Sequence, residues 1–473
     1  MTLIKHFSAL LVLLPFFGAL FSVLTFRYVT IAKVIALISV IASFLLSIYG
    51  LSAIPSVYNF GNWHSPIGIE YRLDYLNAPL VIYLNFVLLF FLLFCCRLTQ
   101  EAIDTIEPSR QSLFYALLLF AHSGYLGMLA THDIFNLYVF IEISSLSTYA
   151  LIAQGKNPRA LIGAFDYLVL GTIGATLILI AIGMLFSITG SLNMSDIFTL
   201  LTSQDDSNVV MLGISLFLIG ALLKIAFFPM HFWMIRAYQA TAPIILTYIA
   251  GISSIVGIYV ILRFLHTTVH YSAVMPIFAN FIKPIALATI LVGTYLALRS
   301  SKAKEIIIYS TVSQIGYIIL LLIVPNSEIL LFLFIFADSL SKIALFFILA
   351  YTEQYGNNKQ SDLLWRCLVA FSLICSCGIP LSGMFIIKIS LFELLVANKL
   401  WLEFFAVVIS SCGALLYHYK VAQILLVSQH GDKQYLDPPK RGSYYGLIFI
   451  NIVQFLFLIL MQKIEFVYSI LRG

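Results

Sequence analysis

A chain of 473 residues could hold two or three soluble domains, but 61% of it is hydrophobic and only 10% charged, against about 25% charged in globular domains, so water is not its main solvent. The net charge of +5 is carried by lysines and arginines scattered through short loops, which excludes a nucleic-acid footprint. The six cysteines, Cys95, Cys96, Cys367, Cys375, Cys377 and Cys412, lie in or beside apolar runs without a CxxC pair or a histidine cluster, which points to packing rather than metal.

Apolar stretches near 20 residues recur along the chain, and about 20 residues of helix match the roughly 30 Å hydrocarbon core of a bilayer. The runs do not alternate as barrel strands would, and open sheets are not viable in lipid. Hydropathy therefore predicts an all-α polytopic membrane protein of about fourteen spans. In chain order they cover 8–26, 30–54, 77–98, 113–131, 134–153, 161–188, 210–232, 243–265, 280–298, 306–324, 329–351, 365–393, 401–427 and 443–468. The first resembles a signal peptide but lacks a small-x-small cleavage site and precedes a second long span, so it reads as an uncleaved helix. Connections such as Thr131-His132-Asp133 leave little mass outside the membrane, and no separate catalytic domain is expected.

Basic residues, among them Arg27, Arg236, Lys302 and Lys440, concentrate in the odd-numbered connections, about sixteen against about seven on the opposite face. This predicts cytoplasmic basic loops in a plasma (inner) membrane, with both termini outside.

Ionisable groups within spans cost at least about 2.5–3.5 kcal/mol at the span centre and are functional candidates by default. The sequence offers Glu142 in span 5, Asp166 at the start of span 6, Lys224 in span 7, Asp338 and Lys342 in span 11, and Lys388 in span 12. Desolvation disfavours an ammonium and a nearby carboxylate favours it, so lysine and acid together make a proton switch; the alternative is a locked structural ion pair. Asp338 and Lys342, four apart, share one helical face. Lys224 precedes Pro229 by five residues, and Gly378, Pro380 and Gly383 precede Lys388. Two interrupted helices, each with its own lysine, are expected of a repeat architecture with ion sites at the breaks.

The segment Asp133 to Glu142, DIFNLYVFIE, resembles the fifth-helix motif of the proton-translocating antiporter-like subunits shared by respiratory complex I and the multisubunit Mrp-type Na+/H+ antiporters, in wording nearest the D-type subunits of the Mrp antiporters. Lys224 to Trp233, KIAFFPMHFW, with His231 and Pro229 inside it and Ala242-Pro243 after it, resembles the family's broken seventh helix. Tyr309 to Tyr317, Lys342, Gly378-Ile379-Pro380 and Phe385 to Lys388 extend the similarity over roughly 110–400.

The resemblance implies fourteen helices with two inverted five-helix repeats, helices 4–8 at 113–265 and 9–13 at 280–427, flanked by helices 1–3 at 8–98 and helix 14 at 443–468. It also implies a proton relay through Glu142, Lys224, Lys342 and Lys388. Asp338, His231, Asp166 and Pro229 are secondary candidates. The expected partners are other integral membrane subunits, H+ and possibly Na+, and lipid. The sequence departs from the pattern at Ile255, where the family has a lysine in its eighth helix, leaving the relay one station short unless Ser253, Ser254 and Thr247 hold water. Asp166 replaces the family's basic residue before the tyrosine of span 6, and Asp338 replaces its frequent histidine before the lysine of span 11. Three other readings compete with the antiporter subunit: a proton-pumping membrane-arm subunit of complex I, a scaffold that moves no ions, and a self-sufficient secondary transporter. No iron–sulfur cysteine cluster, CxxCH or GxGxxG accompanies any of them, so no cofactor and no redox chemistry is expected of this chain.

Overall fold

Apolar side chains all round a helix, rather than on one stripe, are what a lipid-embedded or fully buried helix needs, and nearly every segment here has that character. The computed structural model describes residues 6–95, 111–154, 158–202, 208–268, 274–355, 363–426 and 445–472. Cys96 and the loop cations Lys156, Lys359 and Lys440 lie outside them.

The described residues form seventeen helices and one two-stranded hairpin. The order is α1 (Phe7–Leu24), α2 (Val29–Gly50), β1 (Ser56–Asn59), β2 (Glu70–Leu73), α3 (Ala78–Phe94), α4 (Gln111–Ala130), α5 (Ile134–Ala153), α6 (Arg159–Thr189), α7 (Met194–Thr202), α8 (Asn208–Lys224) and α9 (Phe232–Ala240). Then come α10 (Pro243–Thr268), α11 (Val274–Arg299), α12 (Ala303–Ile323), α13 (Glu328–Tyr355), α14 (Leu363–Cys377), α15 (Gly383–Ala397), α16 (Trp401–Leu426) and α17 (Tyr445–Arg472). Eleven helices are long and apolar enough to cross a membrane, and α3, α8 and α14 are shorter apolar helices. These fourteen helices fall on the fourteen segments expected as spans, with α9 and α15 following the breaks in segments 7 and 12.

Two features differ from the all-α expectation. The connection at 51–76 folds into an antiparallel hairpin, with Ser56 opposite Leu73 and Asn59 opposite Glu70. Tyr71 and Leu73 turn inward while Glu70 and Arg72 stay half-exposed, a period of two too short for a hydropathy window to see. Span 7 also runs past the expected 232, to Ala240. Arg236 and Gln239 on α9 ended the apolar run early.

Helices α4 and α10 form the interior, with 83% of each apolar window buried within the protein, whereas α2, at 33%, faces outward. Glycines permit close approaches. A Cβ at Gly127 of α4 would lie 2.3 Å from the Phe140 ring, and one at Gly220 of α8 would lie 2.5 Å from the Gly174 carbonyl of α6. These small residues let α4 seat α5 and α6 seat α8, the two helices that carry Glu142 and Lys224.

Candidate functional site

Helix α5 begins where Asp133, in extended conformation, accepts a 2.7 Å hydrogen bond from the Asn136 amide, a side-chain N-cap. Two and a half turns on stands Glu142. Opposite it, α8 ends at Lys224 because the chain then leaves helical geometry, with Ala226 in the left-handed region at φ 61°. The carbonyls this break exposes need partners. Trp233 of α9 donates its indole N–H to the Leu223 carbonyl at 3.1 Å and stacks on Tyr167 of α6 at 3.9 Å.

Lys224 thus sits at the carbonyl end of α8, where the helix dipole favours a cation. Its Nζ lies 4.0 Å from Glu142 Oε1 and donates a 2.9 Å hydrogen bond to Ser145 Oγ. Glu142 Oε1 is buried and accepts no hydrogen bond among the described residues. The pair is therefore within electrostatic reach but not closed by a hydrogen bond.

A cavity of about 50 Å³ lies beside the pair, lined by Ser144, Ser145, Tyr167, Lys224 and Ser253 among others. One water needs roughly 10–15 Å³, so the cavity has room for more than one. A second cavity of about 20 Å³ shares Lys224 and Ser253 and continues past Ser254 and Thr311 to Lys342. Lys342 Nζ is 2.5 Å from Asp338 Oδ2 and 3.3 Å from Ser254 Oγ, so the expected intrahelical pair is present and turned toward α10.

Span 12 repeats the device of span 7. Helix α14 stops at Cys377, Gly378 and Leu381 take positive φ values of 78° and 82°, and Ser382 caps α15 through the Phe385 amide. Lys388 reaches back to donate to the Cys377 carbonyl at 2.9 Å, and its Nζ lies 5.8 Å from the Tyr317 ring centroid. A cavity of about 10 Å³ beside it is lined by Ser313, Gln314, Tyr317 and Ser410.

Of the secondary candidates, Asp338 stands in this line as the partner of Lys342; the other three do not join it. Asp166 pairs with the exposed Arg236 of α9 at 3.1 Å. His231 is buried in the break with its ring 4.4 Å from that of Phe232, and Pro229 is exposed beside it. Ile255 is buried and lines neither cavity beside Lys224.

Three groups escaped the sequence reading. His122 of α4 is bonded on both ring nitrogens, to Asn85 at 3.1 Å and Tyr248 at 3.2 Å. Extending the filter for ionisable residues in spans to histidine finds it. Arg263 of α10 pairs with Asp74 at 2.6 Å and donates to His132 Nδ1 at 3.3 Å, and His132 Nε2 is 2.6 Å from Ser195 Oγ. Burial pushes His132 down to about 3, helped by the Arg263 and Arg72 cations. Burial pushes Asp74 up, but Arg263 and the Leu76 and Asn77 amides outweigh it and hold the carboxyl below its ordinary range. Gln314, whose Oε1 is buried without a hydrogen-bond partner among the described residues, lies in a stretch noted only for its resemblance.

A family model described as NADH:quinone oxidoreductase/Mrp antiporter, transmembrane, matches residues 131–414, which include both broken helices and all four relay candidates. The chain belongs to this family. Among its relatives, NADH-quinone oxidoreductase subunit N of Desulforudis audaxviator is 34% identical over 381 residues, covering 78% of this chain and 75% of that protein. The D-type Na(+)/H(+) antiporter subunit of Alkalihalophilus pseudofirmus is 27% identical over 444 residues, covering 90% and 87%. The fold is similar to a chain of an archaeal respiratory membrane complex, the membrane-bound sulfane sulfur reductase, with TM-score 0.86, 23% identity and coverage of 97% and 95%. It is also similar to a chain of the Mrp complex from Dietzia sp. DQ12-45-1b, with TM-score 0.85, 18% identity and coverage of 98% and 96%. As in other members of the NADH:quinone oxidoreductase/Mrp family, the chain is a multi-pass membrane protein.

Proposed function

We propose that this chain is the proton-translocating subunit of a Mrp-type multisubunit antiporter in the plasma membrane, exchanging protons for a monovalent cation, with Na+ the favoured ion. A relative named as a Na(+)/H(+) antiporter subunit matches it over nine-tenths of its length. The observation that carries the reading is the open Glu142–Lys224 pair at 4.0 Å, beside one cavity, with a second between Lys224 and Lys342. When Glu142 approaches, the ammonium is favoured; when it withdraws, the lysine, kept from bulk water, releases a proton to water in the cavity. Lys342 with Asp338, and Lys388 at the second break, continue the relay. The inverted repeats, spans 4–8 and 9–13, belong to the same reading. In each the broken span is the fourth of five and carries a lysine beside the break.

A second reading is a membrane-arm subunit of NADH:quinone oxidoreductase, favoured by the 34% identity to subunit N; the same relay would then be driven by redox chemistry in neighbouring chains. Proton flux that depends on Na+ in the purified assembly supports the antiporter; flux that follows quinone reduction and ignores Na+ supports the alternative.

Charge-neutral variants test the relay itself. Glu142→Gln and Lys224→Ala are each expected to abolish ion-coupled proton flux in the assembled complex while assembly persists, and Glu142→Asp to retain part of it. A static scaffold predicts otherwise. Losing one partner of a buried pair costs about 3–5 kcal/mol, so each single variant should fail to accumulate and the double variant Glu142→Gln with Lys224→Met should recover both assembly and function. Under the relay the double variant assembles and stays silent.

A further inference from the structure

Between Lys224 and Lys342 the relay must cross α10, and at Ile255 that helix offers a buried aliphatic side chain turned away from both cavities beside Lys224. The polar residues α10 presents to those cavities are two serines, beside the apolar Ala250, Val256, Gly257 and Val260. Ser253 lines both cavities, and Ser254 lines the one that reaches Lys342. Their hydroxyls are bonded across helix interfaces. Ser253 Oγ is 3.3 Å from the Tyr238 hydroxyl of α9, and Ser254 Oγ accepts from Lys342 Nζ at 3.3 Å. Thr247 of the same helix instead bonds back to the Pro243 carbonyl, the usual local satisfaction of a hydroxyl within a helix. A hydroxyl can accept and donate at once, which a cavity-lining carbonyl or methyl cannot.

We propose that Ser253 and Ser254 are positioning residues that carry the proton path across α10, Ser254 by holding the Lys342 ammonium at the mouth of the shared cavity and Ser253, with Tyr238, by ordering the water between the two lysines. The proposal rests on the relay reading given above. In the step it describes, one N–H bond of the Lys342 ammonium breaks and its proton passes to a cavity water. A proton of that water chain then forms an N–H bond on the neutral Lys224 amine. The reverse transfer uses the same groups. No charge is created or lost, and nothing is oxidised.

The test uses the assembled complex in proteoliposomes, with proton flux read by an entrapped pH dye. Ser253→Ala with Ser254→Ala is expected to slow flux about tenfold, the scale of one lost ordered hydrogen bond, to shift the pH of half-maximal flux, and to leave the amount of assembled complex unchanged. Ser254→Thr, which keeps the hydroxyl, is expected to retain flux within about twofold. A purely structural role would change accumulation without moving the pH profile. If the double alanine variant does not accumulate, Ser254→Cys decides, since it keeps the volume and weakens the hydrogen bond. Wild-type flux and pH profile in whichever variant assembles overturn the proposal. Glu142→Gln run alongside separates the two levels. Silent Glu142→Gln with normal serine variants sinks only the role of the serines, whereas normal flux in all of them sinks the relay as well.

Discussion

His132 lies in the short turn between α4 and α5, bonded to Arg263 on one ring nitrogen and to Ser195 on the other. Burial and the neighbouring cations bring it from 6.5 down to about 3, so between those values the unfolded chain binds a proton that the folded protein refuses. Stability must therefore fall as pH falls through that window and be insensitive to this group above it. Asp74 acts in the same sense at lower pH. Its carboxylate is favoured in the fold, so its contribution is present above 3.8 and is lost as pH drops through its depressed folded value. The purified assembly is expected to melt a few degrees lower at pH 5 than at pH 7, and His132→Gln to flatten most of that drop; an unchanged slope in the variant would refute the assignment. This layer was invisible in the sequence because its bonded partners are 63 to 189 residues apart. Glu142, Lys224, Lys342 and Lys388 were legible for the opposite reason: a charge inside an apolar span is conspicuous without knowing what it touches.

At the scale of elements, the two interruptions were also legible, because Pro229 in one and Gly378 with Pro380 in the other deny the helix its hydrogen bonds or its geometry. What the sequence did not reveal is how the exposed carbonyls are satisfied, by Trp233 in the first break and by Lys388 itself in the second. That depends on side chains folding back over eleven residues or fewer at angles only the structure fixes. The short amphipathic α7 and the hairpin were missed because neither is long enough to register as a span. The breaks make opposite predictions for glycine. Ala226 holds φ 61° with a Cβ, a conformation that costs an ordinary residue about 1–2 kcal/mol, so Ala226→Gly is expected to raise thermal stability slightly or leave it unchanged. Gly378 holds φ 78°, and a Cβ there would stand 3.2 Å from Lys388 Cδ and from Met384 Cγ. Gly378→Ala is expected to cost about 1–2 kcal/mol and, by displacing Lys388, to reduce proton flux. Melting curves and flux on the same preparations check both signs, and a stabilising Gly378→Ala would contradict the geometry.

Over the whole molecule, the hairpin and the turns after α4 and α6 are tied together at one end. The His132 amide donates to the Glu70 carbonyl, Tyr71 bridges to Thr131, and Asp133 bridges to Asn193. The connections after α2, α4 and α6 thus share one side of the membrane, and orienting any of them orients the rest. Basic residues are sparse in these connections and dense in the alternate set that contains Lys302, so the bias of cytoplasmic loops toward Lys and Arg predicts that the hairpin end lies outside. Trp63 on the hairpin segment is 61% exposed, and the Lys302 side chain is 79% exposed in the turn between α11 and α12, so each gives a label room to react. In a background without the exposed Cys367 and Cys412, Trp63→Cys is expected to react with a membrane-impermeant maleimide in intact cells. Lys302→Cys is expected to react only after permeabilisation. Because the hairpin and the turns after α4 and α6 are bonded to one another, labelling at Trp63→Cys reports on all three. External labelling of Lys302→Cys with protection of Trp63→Cys would invert the orientation of the whole relay, and with it the side of the membrane from which Lys224 is loaded.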